Sequence, residues 1–260
     1  MNVRMKLAPV FYTLSQIKFN PISQMNDYVA KFQEVMRHNG FPDFYEDTQT
    51  GIIIENSNTT EPNISQKKYH RWVFNNIERN QGYILSNDNL VFHTTNYLDF
   101  ETFSKDLLRG TKLLHEIVSL SFIDRIGLRY LDLIEPTNND LSYYIKKEFL
   151  GLYNTINGDF KHNFSEALIE LTGGKLLVKS FITEDYAILP PDLNPLKLEL
   201  NPRFKISSKK TRAILDFDFY IENRFELNLE SLKEKLDIAH SSISDVFRFS
   251  ITESAITEWE

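Results

Sequence analysis

The sequence predicts an α+β protein: a duplicated β-α-β(3-4)-α unit with curved antiparallel sheets and long helices packed across one face. Three observations carry this expectation. In 260 residues there are 20 Phe, 12 Tyr and 2 Trp against only 9 Gly, and aromatic side chains favour half-buried strands. Short runs of alternating polarity cluster between long stretches with apolar residues at i, i+3 and i+4. The element order then recurs: at one constant offset, Leu90, Phe92, Phe100, Glu101 and His115 return as Leu215, Phe217, Phe225, Glu226 and His240.

Residues 9–20 predict a first strand led by Pro9. Residues 23–40 predict a helix with Met25, Tyr28, Val29, Phe32, Val35 and Met36 on one stripe, stopping at Asn39-Gly40. A strand over 50–57 and a polar loop over 58–66 follow. Residues 69–77, 82–87 and 89–96 read as antiparallel strands, the last two joined by the turn signal Asn87-Asp88-Asn89. A long helix is expected over 99–122, its stripe formed by Phe100, Phe103, Leu107, Leu114, Ile117 and Val118. Gly110 sits in its middle, at a cost of about 1 kcal/mol relative to Ala.

The second half repeats the order: a strand over 123–134, a helix over 138–154, strands over 163–172, 175–183, 197–206 and 211–222, a helix over 228–247 and a closing strand. "TGGK" (172–175) reads as a hairpin turn. Leu232, Leu236 and Ile243 should face the sheet. Duplication would lay residues 1–122 on 123–260, His115 over His240 and strand 89–96 over strand 211–222. No linker composition marks the border, so the halves should be fused.

Net charge is −7, which disfavours nucleic acid as a partner because duplex binders present basic surfaces. The absence of cysteine excludes disulfides, thiolate catalysis, Fe–S clusters and cysteine-based zinc sites. No segment reaches the ~18–20 apolar residues of a membrane span, and "MNVRMKLAPVFYTL" lacks a signal-peptide core. A cytoplasmic protein without a cofactor is expected, its oligomeric state left open.

The stretch that demands explanation is "IDRIGLRYLDLIEP" (123–136). Strand side chains alternate between faces, so Arg125, Gly127 and Arg129 share one face with Ile123, Leu131 and Leu133. Ile126, Leu128, Tyr130 and Ile134 line the other. The arginines lie about 13 Å apart at Cα, with a gap at Gly127 that could admit a ligand's phosphate or carboxylate. The favoured alternative is a structural lattice with Asp216 and Asp218 of "LDFDFYIE", or with Glu170 or Glu199. Asp216 and Asp218 make a weak metal pair, since no third ligand completes them. The six histidines show no ligand spacing, and only His93 and His115 merit testing as bases. The basic cluster Arg203, Lys205, Lys209, Lys210 and Arg212 should span a hairpin that touches an acidic partner or keeps a strand edge soluble. No residue is assigned a catalytic role.

Pro9-Val10 heading the first strand, Arg125–Tyr130 ("RIGLRY") and Ile251-Thr252-Glu253 resemble a sporadically distributed prokaryotic family of uncharacterised proteins of about this length, some encoded near mobile or defence loci. The resemblance covers the chain in layout, and its distinctive element is the R-I-G-L-R-Y strand. That family carries an acidic residue shortly after the proline, whereas positions 10–19 here hold none. The resemblance implies no activity, only a possible defence or toxin-neutralising setting. The leading expectation is therefore a non-enzymatic protein that recognises another protein. One alternative is a helix-grip protein with a small ligand between sheet and helix. The other is an enzyme on phosphorylated or nucleic-acid substrates using Arg125, Arg129 and nearby acids.

Overall fold

Strand β1 (Val10–Phe19) runs beside β6 (Phe122–Ile134) at the centre of a ten-stranded sheet. The computed structural model describes residues 5–55, 63–137, 140–184, 190, 193, 197–206 and 208–260. On one side of the central pair lie β5 (Asn89–Thr94), β4 (Gln81–Leu85), β3 (Asn63–Asn75) and β2 (Asp43–Glu55), in that order. On the other lie β9 (Arg212–Ile221), β8 (Gly174–Thr183) and β7 (His162–Leu171); the short β10 (Phe225–Glu226) pairs with the start of β6. Every one of these pairings is antiparallel. In each half the first strand is innermost, the last long strand lies next to it, and the others follow in reverse order.

Helices α1 (Met25–His38), α2 (Phe100–Val118) and α3 (Leu229–Ser250) cover one face of the sheet, and α4 (Glu253–Trp259) closes the chain. One apolar core runs beneath them through both halves, from Ile17, Phe32, Phe74 and Phe92 to Leu128, Phe217 and Leu236. Leu107, Leu114, Leu232, Leu236 and Ile243 are buried in it, and Ile117 packs at its edge. On the opposite face a smaller cluster joins Phe11, Tyr12, Leu131 and Ile214 to Leu198 and Phe204, where residues 197–206 lie across the central strands. That segment is fastened by Glu199, whose N–H donates to the Arg79 carbonyl and whose carbonyl accepts from the Thr95 hydroxyl.

Local signals set the helix ends. Asp99 accepts from the Thr102 N–H at the start of α2, and Asn228 caps α3 through the N–H groups of Glu230 and Ser231. The glycine inside α2 has a packing reason. A Cβ on Gly110 would lie 2.1 Å from the Tyr83 ring, whose hydroxyl donates to the Asp106 carbonyl. Gly110→Ala is therefore expected to lower the melting temperature, with overpacking of about 1–3 kcal/mol outweighing the better helix propensity of Ala. A melt at or above the parent's would remove this account.

The structure corrects several expectations. β2 begins at Asp43, well before residue 50, because Phe44 packs on Phe74 and Asp47 pairs with Arg71 on β3. Residues 63–66, expected as loop, belong to β3; residues 58–62 of that loop lie outside the described residues. The helix expected over 138–154 is absent among the described residues, which resume at Asp140. Two short 3-10 turns, Leu141–Tyr143 and Lys147–Phe149, stand there instead. The apolar spacing was real, since Leu141, Tyr144, Ile145, Leu150 and Tyr153 are buried. Tertiary pairing decides the backbone: Lys146 N–H donates to the Ser250 carbonyl, Thr252 N–H to the Tyr144 carbonyl, and Ile145 bridges Ile251.

Residues 197–206 form no strand but a segment ending in a 3-10 turn, Pro202–Phe204, so the basic cluster does not span a hairpin. The closing strand reduces to the single bridge at Ile251, after which Thr252 caps α4. By contrast, the "TGGK" turn joins β7 to β8 as expected, with Gly173 at φ +93°. A register shift between Lys18↔Arg125 and Phe19↔Ile123 turns Ile123 away from the arginines and into the helix-side core. Among the described residues no helix is long and apolar enough to cross a membrane.

Candidate functional site

The arginines of β6 lie on the sheet face away from the helices. Arg129 grips Asp216 with both prongs, Nε to Oδ1 and Nη2 to Oδ2, each at 2.7 Å. The side chains are only 8% and 4% exposed. Asp218 lies directly across from Arg129; burial raises its pKa, while Arg125 and Arg129 pull it back down. Arg125 donates to Gln16 Oε1 at 2.9 Å, lies over the Tyr220 ring at 4.7 Å and approaches Glu222 at 3.9 Å. A Cβ on Gly127 would come within 3.1 Å of the Arg125 Nη1. The gap left by Gly127 is thus taken up by Arg125 itself, so both guanidiniums are engaged by neighbouring strands.

The cavity with the richest chemistry is on the other face. A cleft of about 740 Å³ opens between β1 and β6 on one side and α3 on the other. Val10, Tyr130 and Asp132 line its sheet wall; His240, Ile243, Ser244, Phe247 and Arg248 come from α3. Tyr97, Leu98, Asp99 and Phe100, where α2 begins, close one end. Met5, Lys6 and Ala8 close another, with Arg203 beside them. Tyr130 is the residue of the R-I-G-L-R-Y motif that reaches this space. Its hydroxyl lies 3.2 Å from both the Tyr97 hydroxyl and His240 Nδ1. His240 stacks on Phe100 with ring centroids 4.0 Å apart, and burial pushes its pKa down to about 4. The neutral imidazole can therefore accept from Tyr130, whose oxygen then accepts from Tyr97.

Asp132 is the anomaly. It is 4% exposed, lines the cleft, and no hydrogen bond or ion pair to its carboxyl is found among the described residues. Burial, reinforced by the charge of Asp216, pushes its pKa up to about 8. An unpaired buried carboxyl is expensive unless something else engages it.

A second cavity, of about 540 Å³, shares Ala8 and Arg203 with the first. Lys205, Lys210 and Arg212 line it along with Glu135, Tyr144 and Glu258. Glu135 takes both Lys210, at 2.6 Å, and Arg212, at 2.7 Å, while the Tyr144 hydroxyl donates to Glu258 at 3.0 Å. Lys205 is 3.6 Å from Glu199. The four cations of this cavity outnumber its two carboxylates. Lys209, the remaining member of the basic cluster, is exposed.

Sequence reasoning singled out Tyr130 and the basic cluster but not Asp132, nor Tyr97, Phe100 and His240 as cleft residues. The signal for Asp132 was present: it falls on the alternation Ile126, Leu128, Tyr130, Ile134, an acid on an otherwise apolar face. His93 is buried, bonds Tyr12 at 2.8 Å, and has its pKa pushed down to about 3 by burial. His115 is exposed. Among the described residues no three His, Asp or Glu side chains gather as a metal site. Protein-family models and curated proteins give no match to this chain.

Proposed function

We propose that the chain is a non-enzymatic receptor for a small amphipathic molecule, held in the cleft between the sheet and α3. The buried Asp132 carboxyl in the cleft wall, without a partner among the described residues, is the observation that carries this reading. The size supports it, since small-molecule pockets run to about 300–1,000 Å³. So does the lining of aromatic rings with a few placed polar groups: Tyr97, Phe100, Tyr130 and Phe247 offer ring surface, and Lys6, Arg203 and Arg248 offer charge. The test is native mass spectrometry of protein from its own host, paired with Ser244→Trp, which fills the cleft from the partly exposed side of α3. A retained small molecule that the variant loses without losing its fold is the expected result. No retained molecule, and no melting shift from a metabolite library, would overturn the reading.

A second reading, recognition of another protein, is favoured by strand β7 at the sheet edge. There Phe164, Leu168 and Ile169 are 58%, 60% and 40% exposed, and a partner strand or helix could cover them. Phe164→Asp with Leu168→Asp should then abolish capture of that partner while sparing the cleft. The common strand order of the two halves supports descent from a duplicated unit, as in curved two-half folds. The turns at 141–149 in place of a counterpart to α1, and the different settings of His115 and His240, are departures that such descent must accommodate.

A further inference from the structure

We propose that the occupant of the cleft is a nucleotide with an amino-substituted base of the adenine or cytosine class, its base edge against Asp132 and its phosphate toward Arg203 and the adjoining basic cavity. This rests on the reading of the cleft as a small-molecule site and deepens it by naming the ligand's chemistry.

The charges of the cavity select against simpler ligands. An aliphatic amine would satisfy Asp132 but would have to sit among Lys6, Arg203 and Arg248. A fatty acid would suit those cations and leave its chain against a buried carboxyl. The fitting molecule has hydrogen-bonding capacity at one end, a flat apolar body and an anionic tail. Tyr97 and Tyr130, edge-on at 5.3 Å, and Phe247 line the cleft as aromatic surface for a planar body, beside the stacked Phe100–His240 pair. Arg203 lines both cavities, so a tail leaving the first enters a space where positive charge is in excess.

The state of Asp132 chooses between bases. Its carboxyl is held protonated near neutral pH, and a protonated carboxyl presents one donor and one acceptor side by side. That pair matches an amino group next to a bare ring nitrogen, as in adenine and cytosine. Guanine offers two adjacent donors at the corresponding edge and calls for a carboxylate instead.

The experiment is calorimetric titration of the full chain with AMP, CMP, GMP, adenosine and inorganic phosphate. AMP or CMP is expected to bind at least tenfold tighter than GMP and tenfold tighter than its nucleoside, with phosphate alone failing to compete at millimolar concentration. Arg203→Ala should erase the preference for AMP over adenosine. Asp132→Leu should abolish binding, whereas Asp132→Asn, which keeps one donor and one acceptor, should weaken it about tenfold and retain the preference over GMP. Should Asp132→Leu fail to fold, Ser244→Trp must block AMP in its place. GMP binding equal to AMP, or AMP binding unaffected by these variants, would overturn the assignment. If none of the nucleotides binds while another small molecule is retained and displaced by Ser244→Trp, the nucleotide class is wrong and the cleft reading stands. If no small molecule of any kind binds, both fall.

Discussion

Arg129→Met is expected to lower the unfolding free energy by about 3–5 kcal/mol, the usual cost of stripping one partner from a buried ion pair. The guanidinium removed makes two 2.7 Å bonds to Asp216 in a place almost closed to water. What remains is an uncompensated carboxylate with Asp218 two residues along the same strand face and Asp132 within reach of its charge. The buried Asp216 and Asp132 and the half-buried Asp218 would then share one region without their nearest cation. Arg125→Met should behave differently. Its side chain is partly solvated and its partners are an amide, a ring and a distant carboxylate, so a loss of about 1 kcal/mol or less is expected. Urea unfolding of the two variants beside Arg129→Met/Asp216→Leu checks the scheme. The double variant should recover most of the loss, because replacing both members of a buried pair by apolar groups is often neutral. An Arg129→Met melt indistinguishable from the parent would show that the pair is not what orders this face.

The arginine pair also shows what a sequence can convey about such a site. Alternation placed Arg125, Gly127 and Arg129 on one face and Asp216 with Asp218 on another strand, and strand geometry is regular enough for that inference. It could not say that β9 lies beside β6, because that contact depends on strand order, which is set by long-range packing. Once the two strands are neighbours, the lattice follows from the register. The long helices were legible for the same reason: a stripe such as Leu107 and Leu114 has no stable place except against a core. Residues 140–153 were not, since their apolar spacing suits a helix while their N–H and C=O groups pair with the chain after α3. Ile123 illustrates the smallest failure. A single bulge, invisible to period-two counting, moved it to the other face. The cleft was hidden more deeply, because Tyr97, Asp132, Arg203 and His240 come from four separated parts of the chain.

Asp132→Asn is expected to stabilise the protein at alkaline pH while weakening the ligand binding proposed for the cleft. The Asp132 carboxyl ordinarily titrates near 3.8 and is pushed up to about 8 by burial in the fold. Between those values the folded chain holds a proton that the unfolded chain has released, so stability falls as pH rises from about 4 to about 8 and stays low above it. Asparagine has no proton to lose. The variant should match the parent near pH 3–4 and exceed it by something of the order of 6 kcal/mol at pH 9. The buried His93 and the half-buried His240 act with the opposite sign. His93 and His240 are held down at about 3 and about 4, so each withholds a proton that the unfolded chain binds below about 6.5, and stability falls as pH drops through that window. Both proteins share that acid limb, so subtracting one profile from the other isolates Asp132. Thermal unfolding of parent and variant between pH 4 and pH 9 is the measurement, and a difference that stays flat across the range would mean that the carboxyl is solvated or already paired. A rising difference would show that the fold carries a destabilising acid which one atom's change removes. Such an acid is costly to keep unless its proton and its charge are used, and in the cleft beside Tyr130 and His240 the use that fits is to meet the polar edge of a bound molecule.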